Sequence, residues 1–142
     1  MKVPSERFLH HVKQWLIHGE EDLRLARHPM KLPREEAPYR LIAYHAQQCA
    51  EKYLKAFLVY CGVDFPYTHN ISTLLELCGK RADWPAKVQD AEHLTLYSIT
   101  TRYPGEEQEV TEAEAKRAIA LARKVQKQVR TALQKLGVDL PE

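Results

Sequence analysis

Apolar side chains recur at three- and four-residue steps along most of the chain, the spacing that places them on one face of an α-helix. Phe8, Val12, Trp15, Leu16, Leu23 and Ala26 carry this pattern through a first helix, from about residue 5 to 27, which His28-Pro29 ends. A loop with Pro33 and Pro38 follows. The longest uninterrupted signal covers residues 39–61, with Gly62 where a left-handed cap prefers glycine and Pro66 just beyond. A short third helix starts near Asn70, whose side chain can cap it, and stops at Gly79. Trp84-Pro85 opens a fourth, from about residue 86 to 100, and a fifth runs from Thr111 to just before Gly137.

The fifth helix opens on a capping box, Thr111 three residues ahead of Glu114. Its charges run acid first and base last, from Glu112 and Glu114 to Arg123, Lys124, Lys127, Arg130 and Lys135. That polarity suits the helix dipole first and a basic binding surface second. The stripe Ala118, Ala122, Val125, Val129, Leu133, Leu136 is a seam for a partner helix, within the chain or across a dimer. The pattern as a whole predicts an all-α protein with one domain over residues 1–142. Its architecture is an antiparallel bundle of about five helices, packed mainly through the first, second and fifth.

Composition adds exclusions. Lys and Arg number 21 against 19 Asp and Glu, so any polyanion site has to be a local patch. Gly62, Gly79 and Gly137 each fall just past a helix end, leaving no glycine-rich loop to cradle phosphate. The three cysteines, Cys49, Cys61 and Cys78, are odd in number, and the first two lie ~18 Å apart along one helix axis. They are expected to be free thiols in a reducing compartment. No apolar leader precedes the first helix and no stretch approaches a membrane span, so a cytoplasmic protein without membrane contact is expected. His10, His11 and His18 miss the spacing of a helical metal site, and neither a metal nor a cofactor is expected.

Candidate chemistry concentrates on the second helix. At about 100° per residue, Ile42, Cys49, Ala50, Tyr53, Leu54, Phe57 and Tyr60 share one broad side. Tyr44, His45, Gln48, Glu51, Lys52 and Lys55 share the remaining arc. This arc is either an ordinary wet face or a groove in which Lys52 and Lys55 meet phosphate while His45 and Gln48 form hydrogen bonds. Glu51 and Lys55 are four residues apart in the favourable order, which on a wet face is worth only about 0.3–0.5 kcal/mol. Arg102-Tyr103-Pro104 is the second candidate. Pro104 disfavours helix at Tyr103, which holds the Arg102 fork at a rigid junction suited to phosphate or carboxylate, or to capping the fourth helix.

The run Tyr44-His45-Ala46-Gln47-Gln48-Cys49-Ala50-Glu51-Lys52-Tyr53-Leu54-Lys55-Ala56 resembles the hallmark second helix of HEPN domains. Thr68-His69-Asn70 with Leu74-Leu75, Thr101-Arg102-Tyr103-Pro104-Gly105, and Glu21-Asp22-Leu23 with Ala26 resemble other parts of that family. The likeness covers nearly the whole chain. It implies an up-and-down helical bundle that dimerises, and a binding module for a nucleotide, RNA or other polyanion. It also implies pairing with a minimal nucleotidyltransferase in a toxin–antitoxin-like couple. On this reading the ligand-binding residues are Tyr44, His45, Gln48, Glu51, Lys52, Lys55, Arg102 and Tyr103.

Many members of that family are metal-independent ribonucleases with an arginine followed at a four-to-six residue spacing by histidine. Here that window after Arg102 ends in Glu107, Gln108 and Glu109. The alternative, an endoribonuclease toxin, therefore needs Arg102 for the developing phosphorane charge and a remote histidine, His45 or His69, for proton transfer.

Overall fold

The computed structural model describes residues 5–98 and 109–140. Among them the chain is helical, without a strand, in the order α1 (Glu6–Arg27), a short 3-10 turn, α2 (Tyr39–Tyr60), α3 (Ile71–Gly79), α4 (Ala86–Gln89) and α5 (Glu112–Lys135). The starts follow their caps. Ser5, Asn70 and Thr111 each accept a hydrogen bond from a backbone N–H three residues on, at 3.1–3.2 Å, which satisfies a donor the helix itself cannot. At the far end of α2, Gly62 takes φ +68° while Val63 N–H reaches back to the Leu58 carbonyl at 2.9 Å. Gly137 closes α5 likewise, at φ +92°. Gly79, expected past the end of its helix, is instead the last residue of α3.

The fourth element departs most from expectation. Only Ala86–Gln89 is α-helical, and Asp90–Tyr97 continues as a 3-10 helix. The reason lies in the spacing of its apolar residues. Val88, Ala91 and Leu94 are buried, and half-buried Tyr97 continues the same three-residue step. A helix of three residues per turn stacks such a series into one stripe, whereas α geometry would rotate it away from the core.

α2 is the axis of the molecule. α1 and α5 pack along it, and α3 and the 3-10 segment cover its remaining flank. The α5 stripe from Ala118 to Leu133 is buried at or below 1%, so this seam is intramolecular, while Leu136 beyond it is exposed. Tyr53, Leu54, Phe57 and Leu58 fill the centre, with Trp84 against Phe57 at a ring separation of 5.0 Å. Close approach of α1 depends on Gly19: a Cβ there would lie 2.8 Å from Cδ2 of Tyr53. Cys49 and Cys78 are buried free thiols and Cys61 is a half-buried one. Burial pushes Cys49 and Cys78 far above the usual thiol range, with Asp22 and Glu20 adding to the effect at Cys49.

Candidate functional site

The polar arc of α2 is present, but it is not wet. Gln48, Glu51 and Lys55 are buried along with the apolar side, and Gln47, outside the expected set, is fully buried. Tyr44, His45 and Lys52 keep partial contact with solvent. The cover comes from two places: α1 lies over one edge of the arc, and the loop between α2 and α3 folds over the other.

Buried polar groups need partners, and these residues find them in two clusters. In the first, Asp22 of α1 bridges two α2 side chains. One of its oxygens meets Nδ1 of His45 at 2.9 Å and the other accepts from Nζ of Lys52. The Tyr44 ring stands edge-on to His45, centroids 5.2 Å apart. In the second, Glu51 is the hub. Its Oε1 takes Nδ1 of His69 at 2.8 Å and Nε2 of Gln47 at 3.2 Å, and its Oε2 accepts from Lys55 Nζ at 3.1 Å. Gln47 also donates to the His69 carbonyl at 3.0 Å, and Gln48 donates to Gln47 at 2.7 Å. Trp15, Phe65 and Tyr67 ring the Lys55 ammonium, their centroids 5.6, 5.7 and 6.0 Å from Nζ. Aromatic faces of this kind replace part of the water a buried cation gives up.

Both clusters share one chemical consequence. A carboxylate can only accept, so each histidine's Nδ1 must carry the proton it donates, and each neutral imidazole presents Nε2 as an acceptor. Charge balances locally, Asp22 against Lys52 and Glu51 against Lys55. Lys52 has spent one of its three donors on Asp22 and stands 24% exposed, whereas Lys55 is sealed.

Of the expected site residues, the structure joins Tyr44, His45 and Lys52 around Asp22, and Gln48, Glu51 and Lys55 through Gln47 and His69. Arg102 and Tyr103 lie outside the described residues. Sequence reasoning passed over Asp22, Gln47 and the rings of Trp15, Phe65 and Tyr67 near Lys55. Asp22 did carry a signal: it falls in the buried register of α1 beside Leu23, between Gly19 and Ala26. A carboxylate in a core stripe requires a cation. Phe65 and Tyr67 had none, since a loop has no period from which a facing side can be read.

Elsewhere a cavity of about 500 Å³ opens between α1 and α5. On its floor Tyr53 and Gln126 both donate to Oε2 of Glu20, at 2.8 and 2.7 Å. Burial raises the Tyr53 phenol well beyond its ordinary range, so it stays a donor. Among the described residues no group of three or more His, Cys, Asp or Glu is placed to hold a metal ion, and no helix is long and apolar enough to cross a membrane.

A helical bundle built around a central helix with an interior polar arc defines the class of protein. The chain matches the HEPN domain family over residues 12–135 and belongs to that family. TT1696 from Thermus thermophilus has a similar structure, with a TM-score of 0.72 at 29% identity over 84% of this chain and 96% of that one. ST0689, an archaeal HEPN homologue, gives a TM-score of 0.68 at 28% identity, covering 85% and 96%. A HEPN domain protein from Thermotoga maritima shares the fold at 20% identity, with a TM-score of 0.57 over 91% and 98% of the two chains. No curated protein matches the sequence.

Proposed function

We propose that this HEPN domain is a binding module: a homodimer that takes a nucleotide or other polyanion and docks a minimal nucleotidyltransferase in a toxin–antitoxin-like couple. The observation that carries the ligand reading is the Asp22 bridge. It holds His45 and Lys52 in place while both keep an edge towards solvent, at 27% and 24% side-chain exposure. A phosphate arriving there meets the two unspent donors of Lys52. With His45 neutral, its Nε2 accepts a hydroxyl or protonated phosphate; once charged, the same nitrogen donates.

On this reading the expected residues divide by role. Tyr44, His45 and Lys52, with Arg102 and Tyr103, touch the ligand. Gln48, Glu51 and Lys55 hold the helix face that presents it. Pairing with a transferase and dimerisation rest on what the family resemblance implies.

Thermal stabilisation by adenosine triphosphate without added metal tests the ligand, and co-purification with a co-expressed nucleotidyltransferase tests the partner. Lys52→Ala should abolish the nucleotide shift; because it also takes the cation from Asp22 and lowers the melting temperature, the shift is read against the variant's own ligand-free melt. An unchanged shift would end this assignment of the site. The second reading, a metal-independent endoribonuclease, is favoured by the same Nδ1-anchored histidine, which resembles a general base held by its carboxylate. RNA cleavage in the presence of a chelator, lost on Arg102→Ala, would establish it.

A further inference from the structure

The second cluster has a geometry that burial alone does not call for. Glu51 and Lys55 are 3% and 5% exposed, and placing such a pair inside a protein gains little stability over apolar residues of the same size. His69 links the pair to solvent. Its side chain is 49% exposed although Nδ1 is tied to the buried carboxylate. Nε2, at the opposite edge of the ring, makes no hydrogen bond within the described residues. Next to it stands Tyr67, 94% exposed, edge-on to the imidazole with centroids 5.8 Å apart. The outward ring and the outward acceptor are thus set side by side over an ion pair whose charges cancel.

We propose that Tyr67 and His69 form a subsite for a neutral planar ring bearing a hydrogen-bond donor, of the nucleobase class. The ring stacks on Tyr67, and an N–H at its edge donates to Nε2 of His69. Glu51 acts as a positioning residue: by taking the Nδ1 proton in a hydrogen bond it selects the tautomer in which Nε2 of the neutral ring is the acceptor. Neutrality follows from the balance beneath, because a subsite without net charge has no preference for an anion. His45 and Lys52, the phosphate-binding pair of the nucleotide reading, lie on the same helix as Glu51. The inference rests on the nucleotide reading above and adds the part of the ligand that reading leaves open.

The test uses the full chain and three probes in binding titrations followed by NMR: adenosine monophosphate, purine riboside monophosphate, and inorganic tripolyphosphate. The purine compound lacks the exocyclic amine, and tripolyphosphate lacks the ring. Adenosine monophosphate should shift the Tyr67 and His69 resonances, and tripolyphosphate should leave them in place. Tyr67→Ala should weaken adenosine monophosphate about 5-fold or more, as removal of a stacking ring does. His69→Phe should erase the preference for the amine-bearing base. Tyr67 is exposed, whereas His69→Phe also removes a donor from buried Glu51, so circular dichroism and a thermal melt establish that each variant is folded before affinities are compared. If adenosine monophosphate binds but neither substitution changes its affinity by about 2-fold, the subsite is wrong and the nucleotide reading survives. If only tripolyphosphate binds, the subsite falls and a polyanion site remains. If none of the probes binds, the nucleotide reading fails and takes this inference with it.

Discussion

Replacing Lys55 by Met separates a buried ion pair from a surface one by magnitude alone. On a wet face the Glu51–Lys55 pair would be worth about 0.3–0.5 kcal/mol. In the folded protein the Lys55 and Glu51 side chains are 7% and 4% exposed and 3.1 Å apart. Lys55→Met keeps the stem and the packing against Trp15 and Phe65 but leaves the Glu51 carboxylate inside without the ammonium that balances it. Loss of one member of a buried pair costs about 3–5 kcal/mol. Gln47 and His69 still donate to Glu51, which places the expectation near the lower end, about 3 kcal/mol. For a chain of this length that corresponds to roughly 10 °C in Tm. Urea unfolding at neutral pH measures it. The double variant Glu51→Met, Lys55→Met then removes the stranded charge and should be more stable than Lys55→Met alone, giving a coupling of about 2 kcal/mol or more. A single-variant cost below about 1 kcal/mol, or additive behaviour in the cycle, would refute the account of the polar arc as a sealed network.

Other expectations follow from the packing. Gly19→Ala, which in an open helix would gain about 1 kcal/mol, should here destabilise by about 1–2 kcal/mol, because the new methyl meets a Tyr53 ring pinned by Glu20. Tyr53→Leu in the same chain should reverse the sign, and chemical denaturation reads both. Stability should fall on the alkaline side: above about pH 9 the unfolded chain releases the protons of Cys49 and Cys78 while the folded chain, with both thiols raised by burial, retains them. The slope is about 1.4 kcal/mol per pH unit for each thiol, and Cys49→Ala should remove its share. Thr111→Ala removes the cap of α5 and should cost about 1 kcal/mol in thermal melts. The Nε1 of Trp84 is buried without a partner among the described residues, so Trp84→Phe should cost less than a typical aromatic truncation in the core.

The helices and their ends were legible because the forces that set them are local. Ser5, Asn70, Thr111, Gly62 and Gly137 act on backbone groups within a few residues of themselves, and a reading of neighbours suffices. The dry side of α2 and the seam of α5 follow from the same periodicity. The fourth segment was misread for an equally local reason: a three-residue apolar step and a 3.6-residue one differ little over two turns, and only docking on α2 and α3 selects the tighter winding.

What the chain's own order of residues decided, then, was the set of helices, the apolar faces that drive them together, and the chemical inventory of α2. Tertiary structure alone decided what that inventory is for. Asp22 lies 30 residues before Lys52, and His69 lies 18 after Glu51, so no spacing rule joins them. Whether an ammonium group on a helix meets water, a carboxylate or a ring depends on which distant segment covers it. The desolvation that turns a weak surface pair into a structural hub exists only once α1 and the loop between α2 and α3 have closed over the arc.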